Sequence, residues 1–231
     1  EVHGENLTSV SEFTVAPGER IPFVLTWFPS HEPPPEPVDA ELALAETETF
    51  WREWAASRKG DGKIYSEIVQ QSLLVLKALT YDPTGGIVAA PTTSLPERIG
   101  GVRNWDYRFC WLRDASLTLL AMLAAGYGAE AAEWREWLLR AIAGDPKQMQ
   151  IMYGIAGERW LPEREVDWLP GFLDSRPVRV GNAASQQLQL DIFGEVLDAA
   201  YQTLVYGIEG SEFGWALMKR LLGRLEECWQ E

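Results

Sequence analysis

Asn104-Trp105-Asp106-Tyr107-Arg108-Phe109-Cys110-Trp111-Leu112-Arg113 runs directly into Asp114-Ala115-Ser116-Leu117-Thr118-Leu119-Leu120-Ala121-Met122-Leu123-Ala124-Ala125-Gly126. The first stretch interleaves polar and aromatic residues. The second is almost wholly apolar after its first residues and stops at glycine. A helix that is apolar on every side is buried between layers, so the second stretch predicts a core helix and the first a loop delivering side chains to its start. Asp114 near a helix start is favourable by itself, through capping and the macrodipole. On that reading Arg113 is its ion-pair neighbour. A carboxylate beside a guanidinium also offers the acceptors and forked donors needed to clamp two hydroxyls of one sugar. Spacing leaves both readings open.

Outward from this segment the chain reads as helices joined by long loops. Helical stripes are predicted over 66–79 with Ser66 as N-cap, over 129–143 up to Gly144-Asp145-Pro146, over 183–206 as one long helix, and over 213–229. Two loops, 80–113 and 144–181, are too long for a plain bundle, and long ordered loops usually carry function. Within them Gly85-Gly86 reads as a tight turn and 150–154 as a short strand. On a continuous helix Asn182, Gln186 and Gln189 would share one stripe. That amide row, beside Trp160, Trp168 and Phe172, would suit a neutral polyol.

The N-terminal part reads differently. Residues 13–15, the turn Ala16-Pro17-Gly18-Glu19, and the alternating Ile21, Phe23, Leu25 and Trp27 predict strand, turn, strand. A few strands do not stand alone, so residues 1–28 are expected to be the end of a larger β-domain whose beginning is absent. Pro29 to Pro37 carries five prolines and predicts an extended connector. A helical linker over 41–56 follows, ending near the turn 59–62.

Composition bounds the function. The 231 residues carry a formal net charge of −14, which disfavours nucleic acid and anionic lipid as partners and favours a neutral substrate. No stretch reaches the roughly 18 apolar residues of a membrane span. Two distant cysteines, Cys110 and Cys228, form no disulfide framework, and a reducing, cytoplasmic location is the expectation. Neither cysteine has the close neighbours of a zinc site, and no metal or cofactor is expected. His3 and His31, the sole histidines, give no support to a Ser-His-Asp mechanism. The eleven tryptophans are either sugar platforms or core filler. Glu158, Glu163, Glu165 and Asp167 crowd the second loop, yet no pair is singled out for the acid and base of glycoside hydrolysis.

Several motifs together resemble one family. The run 103–114, the stretch 78–97, Met152-Tyr153-Gly154, Trp168-Leu169-Pro170-Gly171-Phe172, and the run 177–196 beginning Pro177-Val178-Arg179-Val180-Gly181-Asn182 resemble bacterial family 15 glycoside hydrolases, which include glucoamylases and trehalases. The resemblance implies a mainly α fold: the first part of an (α/α)6 toroid (63–231), preceded by the last strands of an N-terminal β-sandwich (1–28) and a connector with helical linker (29–62). It implies an inverting, exo-acting α-glucosidase that releases glucose from non-reducing ends. Glucoamylase-like action on an α-glucan oligosaccharide is the first expectation, trehalase the second, and a non-catalytic sugar-binding toroid the rival. By position, Arg113 and Asp114 resemble the pair holding the innermost glucose, and Tyr107 and Trp111 the aromatics beside it. Arg179 and Asn182 fall in a motif bordering the same pocket. The family's general acid and base map beyond residue 231, so no catalytic residue is assigned here. A half toroid also leaves apolar faces without partners, and residues 1–231 alone are expected to depend on further chain.

Overall fold

The computed structural model describes residues 2–60 and 64–230. The chain divides into two units, Glu1–Ala56 and Ser57–Glu231.

In the first unit β1 (Val2–Glu5) pairs antiparallel with β2 (Thr8–Ser11), in the register Val2↔Ser11 and Glu5↔Thr8. The two linking residues, Asn6 and Leu7, both have positive φ (48° and 63°), the twist a two-residue hairpin demands. Residues 13–27 differ from the strand, turn, strand expectation. The turn forms, with Glu19 N donating to Ala16 O at 3.0 Å, and Phe13 lies 5.5 Å from Phe23. No ladder joins its arms, however, and Phe23, Leu25 and Trp27 are exposed. Alternation marks a surface suited to pairing, but a strand exists only where a partner takes its backbone groups. The linker helix α1 (Ala40–Ala56) starts where Asp39 Oδ1 accepts from the amides of Glu41 and Leu42, both at 3.1 Å.

The second unit is mainly helical, with α2 (Ser66–Ala78), α3 (Leu112–Ala124), α4 (Gly128–Ala141), α5 (Asp191–Val205) and α6 (Glu212–Cys228). Ser66 is the first helical residue and not the N-cap. The residue before it, Tyr65, is left-handed (φ 61°), and the Ser66 hydroxyl accepts from Arg58 Nη2 at 3.2 Å. The turn expected at 59–62 falls partly on residues 61–62, which lie outside the described residues.

The helix foreseen from sequence after Asp114 is α3. It buries Leu112, Ala115, Leu119, Met122 and Leu123 against α4 and α5, while Leu117 stays 57% exposed. It ends in a Schellman motif: Gly126 (φ +88°) donates to Leu123 O and Tyr127 N to Met122 O. Trp134 and Trp137 of α4 are fully buried, and Trp137 Nε1 donates to Ile155 O at 2.9 Å. Tryptophan therefore fills the core here and lines the surface elsewhere; Trp160 and Trp168 are exposed.

The long helix predicted over 183–206 is split. A 3-10 turn, Ala183–Gln186, is followed by extended backbone at Gln187, and α5 begins only at Asp191. Asn182 is extended and caps the 3-10 turn, accepting from Ala184 N. The amide stripe of Asn182, Gln186 and Gln189 therefore does not form. The break falls at Gln187, whose backbone is extended (φ −78°, ψ 143°) and ends the turn that Asn182 caps.

The long loops carry structure of their own. Strand β3 (Thr80–Tyr81) pairs with β4 (Gly86–Ile87), β5 (Cys110–Trp111) with β6 (Met152–Tyr153), and β7 (Arg164–Glu165) with β8 (Arg179–Val180), all antiparallel. Gly85 is required at its turn, because its φ is +76° and a Cβ would stand 2.6 Å from Glu133 O. Among the described residues no helix is long and apolar enough to cross a membrane.

Leu119 is 1% exposed at the centre of this core. Leu119→Ala is expected to cost about 2–5 kcal/mol in denaturant unfolding, the range for a buried leucine truncation.

Candidate functional site

The segment 103–109 is extended and lies antiparallel to 89–97, joined by Ala90 N to Tyr107 O (3.0 Å) and Ser94 N to Trp105 O (2.9 Å). Extended backbone sends successive side chains to opposite sides. Trp105 and Tyr107 face a cleft, and Asp106 between them points inward and is 1% exposed. The cleft measures about 390 Å³ and is lined by Trp105, Tyr107, Trp111, Glu163, Asn182, Ala183, Ala184 and Gln187. That volume lies near the small end of the range for small-molecule sites, about 300–1,000 Å³.

Asp106 fixes the cleft from behind. Its carboxylate accepts from Arg108 N (3.2 Å), Arg108 Nε (2.9 Å), Arg108 Nη2 (2.8 Å) and Gly181 N (3.0 Å). Its carbonyl accepts from Asn182 Nδ2 at 3.0 Å. Burial pushes the acid's pKa up, but the Arg108 guanidinium and the two backbone amides outweigh that and hold it below the ordinary value of 3.8. Asp106 thus joins the first loop to the Gly181-Asn182 corner of the second. Gly181 is left-handed (φ +83°) and packs its Cα against the Pro162 carbonyl, leaving no room for a side chain.

A second tie runs through Ser94 and Arg179. Arg179 N donates to Ser94 Oγ at 2.7 Å, and the hydroxyls of Thr93 and Ser94 donate to Arg179 O at 2.6 and 2.8 Å. The Arg179 guanidinium stacks on Trp105 (4.5 Å to the centroid), donates to Val102 O at 2.9 Å, and lies 3.4 Å from both Glu163 and Glu165.

The site residues read from sequence are placed as follows. Tyr107, Trp111 and Asn182 line one cleft, with the Tyr107 and Trp111 rings 6.3 Å apart. Arg113 joins it through Trp111, over whose ring its guanidinium sits at 5.9 Å, and it pairs with Asp114 at 3.2 Å. Both charged side chains are close to half exposed. Asp114 sits in the first turn of α3, although Trp111 is the N-cap, so both the helix-start and ion-pair features expected of Arg113-Asp114 are present. Arg179 stands behind Trp105 as a support. Asn182 is 5% exposed and braces the corner through both ends of its amide. Asp106, Glu163, Trp105 and Gln187 were not singled out from sequence. The alternation Trp105-Asp106-Tyr107 contained the signal for Asp106: one polar residue between two aromatics on extended backbone is turned away from them.

Cys110 is buried beside this segment, and burial pushes its thiol up to about 12, with the Glu158 carboxylate adding to the effect. Such a thiol is an inert core group at neutral pH. Among the described residues no group of three or more His, Cys, Asp or Glu side chains is placed to hold a metal ion.

Residues 63–231 match the family described as glycosyl hydrolases family 15. Among similar proteins, a protein named trehalase from Thermoplasma volcanium is 40% identical over 189 residues, 82% of this chain and 30% of its own length. A trehalase from Mycolicibacterium smegmatis is 36% identical over 217 residues, 93% of this chain and 32% of its own. Trehalase 1 of Sulfolobus acidocaldarius is 41% identical over 169 residues, 73% and 29% respectively. The chain thus spans about a third of the length of the curated relatives it matches. No solved structure matches it.

Asp106→Asn is expected to cost about 3 kcal/mol at pH 7, the low end for an orphaned buried pair because Arg108 is half exposed and rehydrates. An acid whose folded pKa is depressed stabilises above its unfolded pKa, and that contribution is lost as pH falls through the folded value. The gap between wild type and Asp106→Asn in urea unfolding should therefore narrow below about pH 4.

Proposed function

The chain belongs to glycosyl hydrolase family 15, and from that premise we propose that the protein containing it is a trehalase, which hydrolyses the α-glucosidic bond of trehalose to glucose. The observation that carries this reading is the name shared by these relatives, each called trehalase. Sequence motifs alone put glucoamylase-type action first; these names move trehalase ahead of it. A cleft walled by Trp105, Tyr107 and Trp111 supports a sugar substrate, since indole and phenol faces match the CH-rich faces of pyranose rings.

In this proposal Arg113 and Asp114 hold the hydroxyls of the glucose whose bond is cut. Tyr107 and Trp111 pack against that ring, and Arg179 and Asn182 keep the walls in place. The reaction inverts the anomeric centre. As the family resemblance implies, two glutamates set roughly 6.5–9.5 Å apart to admit the attacking water serve as general acid and base, and none of the residues named above is assigned to either role. We read residues 63–231 as the opening part of an (α/α)6 toroid and residues 1–28 as the end of a β-sandwich, with the connector and linker at 29–62 between them.

The test compares glucose release from trehalose, maltose and isomaltose by the full-length protein. Preference for trehalose is the expected outcome, and preference for maltose would return the reading to glucoamylase. Arg113→Ala and Asp114→Ala should each lower kcat/KM by about a hundredfold or more, because a sugar misplaced by about 1 Å reacts that much more slowly. Full activity in both variants would remove the pair from the site.

A further inference from the structure

Glu163 lines the cleft with Trp105, Tyr107, Trp111, Asn182 and Gln187, and is the one acidic side chain among the described lining residues. Its side chain is 23% exposed, so it is held in the wall while still open to the cleft. Oε2 accepts from Ala183 N at 3.2 Å. Oε1 lies 3.4 Å from Arg179 Nε, close enough for charge attraction but too long for a strong hydrogen bond. An ionised carboxylate offers about four acceptor positions, so this one retains capacity for hydroxyl donors. Arg179 stacks on Trp105 and bonds Val102 O, which fixes the carboxylate's partner in place.

Two charged pairs therefore adjoin different aromatic residues of the cleft. Arg113, paired with Asp114, stacks on Trp111. Glu163, paired with Arg179, adjoins Trp105. We propose that Glu163 is a substrate-contacting residue that accepts hydrogen bonds from hydroxyls of the second sugar ring, the one beyond the ring held by Arg113 and Asp114. This rests on the sugar-hydrolase reading above. Glu163 binds and does not transfer protons. In the reading above the acid and base are two other glutamates, and Glu163 is held by Ala183 N and Arg179 as a fixed acceptor.

The experiment uses the full-length protein with Glu163→Gln and Glu163→Ala. KM and kcat are measured on trehalose and maltose, glucose inhibition is measured alongside, and binding is followed by tryptophan fluorescence. The expected result is a KM for the better disaccharide raised about tenfold in Glu163→Ala, as befits loss of a hydrogen bond to a charged acceptor, and less in Glu163→Gln, which keeps an acceptor oxygen. The value of kcat should stay within about threefold, and glucose inhibition within about twofold, since in this proposal a single glucose takes the ring position held by Arg113 and Asp114. Unchanged disaccharide KM in both variants overturns the inference. So does a joint fall in Tm, kcat and glucose affinity, the mark of a brace alone; if Glu163→Ala fails to fold, Glu163→Gln decides. A wild-type protein that neither cleaves nor binds either disaccharide overturns the hydrolase reading itself and this inference with it. Cleavage of maltose in place of trehalose overturns only the trehalase assignment.

Discussion

The cleft depends on one carboxylate removed from water. Asp106 would be costly to bury alone, but four donors converge on it and its own carbonyl takes a fifth from Asn182. Arg108 belongs to the same loop as Asp106, whereas Gly181 and Asn182 lie 75 and 76 residues further along the chain. Each loop has backbone pairing of its own, 89–97 with 103–109 in the first and β7 with β8 in the second, and the shared charge ties the one to the other. Because hydrogen bonds to an ionised group are directional and strong, they fix orientation as well as proximity.

From that tie the rest of the site follows by pleat and stacking. Turning Asp106 inward turns Trp105 and Tyr107 outward. Arg179, anchored by Ser94 and Val102, presses on the back of Trp105, while Trp111 meets Tyr107 on one side and Arg113 on the other. The aromatic walls are thus backed by cations, and each cation is paired with a carboxylate. A neutral, hydroxyl-rich ligand suits such a surface: it offers ring faces to the aromatics and donors to the carboxylates without adding charge to a chain already at −14.

The helical core does a separate job. Helix α3 is clamped between α4 and α5 by buried aliphatic side chains and the indoles of Trp134 and Trp137. Its N-terminal turn carries the Arg113–Asp114 pair, with Arg113 over the ring of Trp111. Strand β5, one step earlier, is pinned to β6, so Trp111 leaves the sheet and enters the helix at a fixed angle. Position at the site is therefore inherited from the core through a few residues of backbone.

Local physics made the helices legible in the sequence. Apolar spacing located α1, α2, α3, α4 and α6, and the glycine after α3 marked its end because only a left-handed residue closes a Schellman motif cheaply. The same logic predicted one helix over 183–206, where extended backbone at Gln187 interrupts it, and strands at 13–27, where no partner takes up the backbone. Resemblance to a family named Tyr107, Trp111, Arg113 and Asp114 as a group. Tertiary structure alone decided that Asp106 is the tie, that Arg179 supports Trp105, and that Glu163 shares a wall with Asn182. These facts rest on contacts between residues far apart in the chain, and a carboxylate's role depends on which distant donors reach it. Periodicity records what a residue does for its own turn of helix or strand; it carries no record of the partner across the fold.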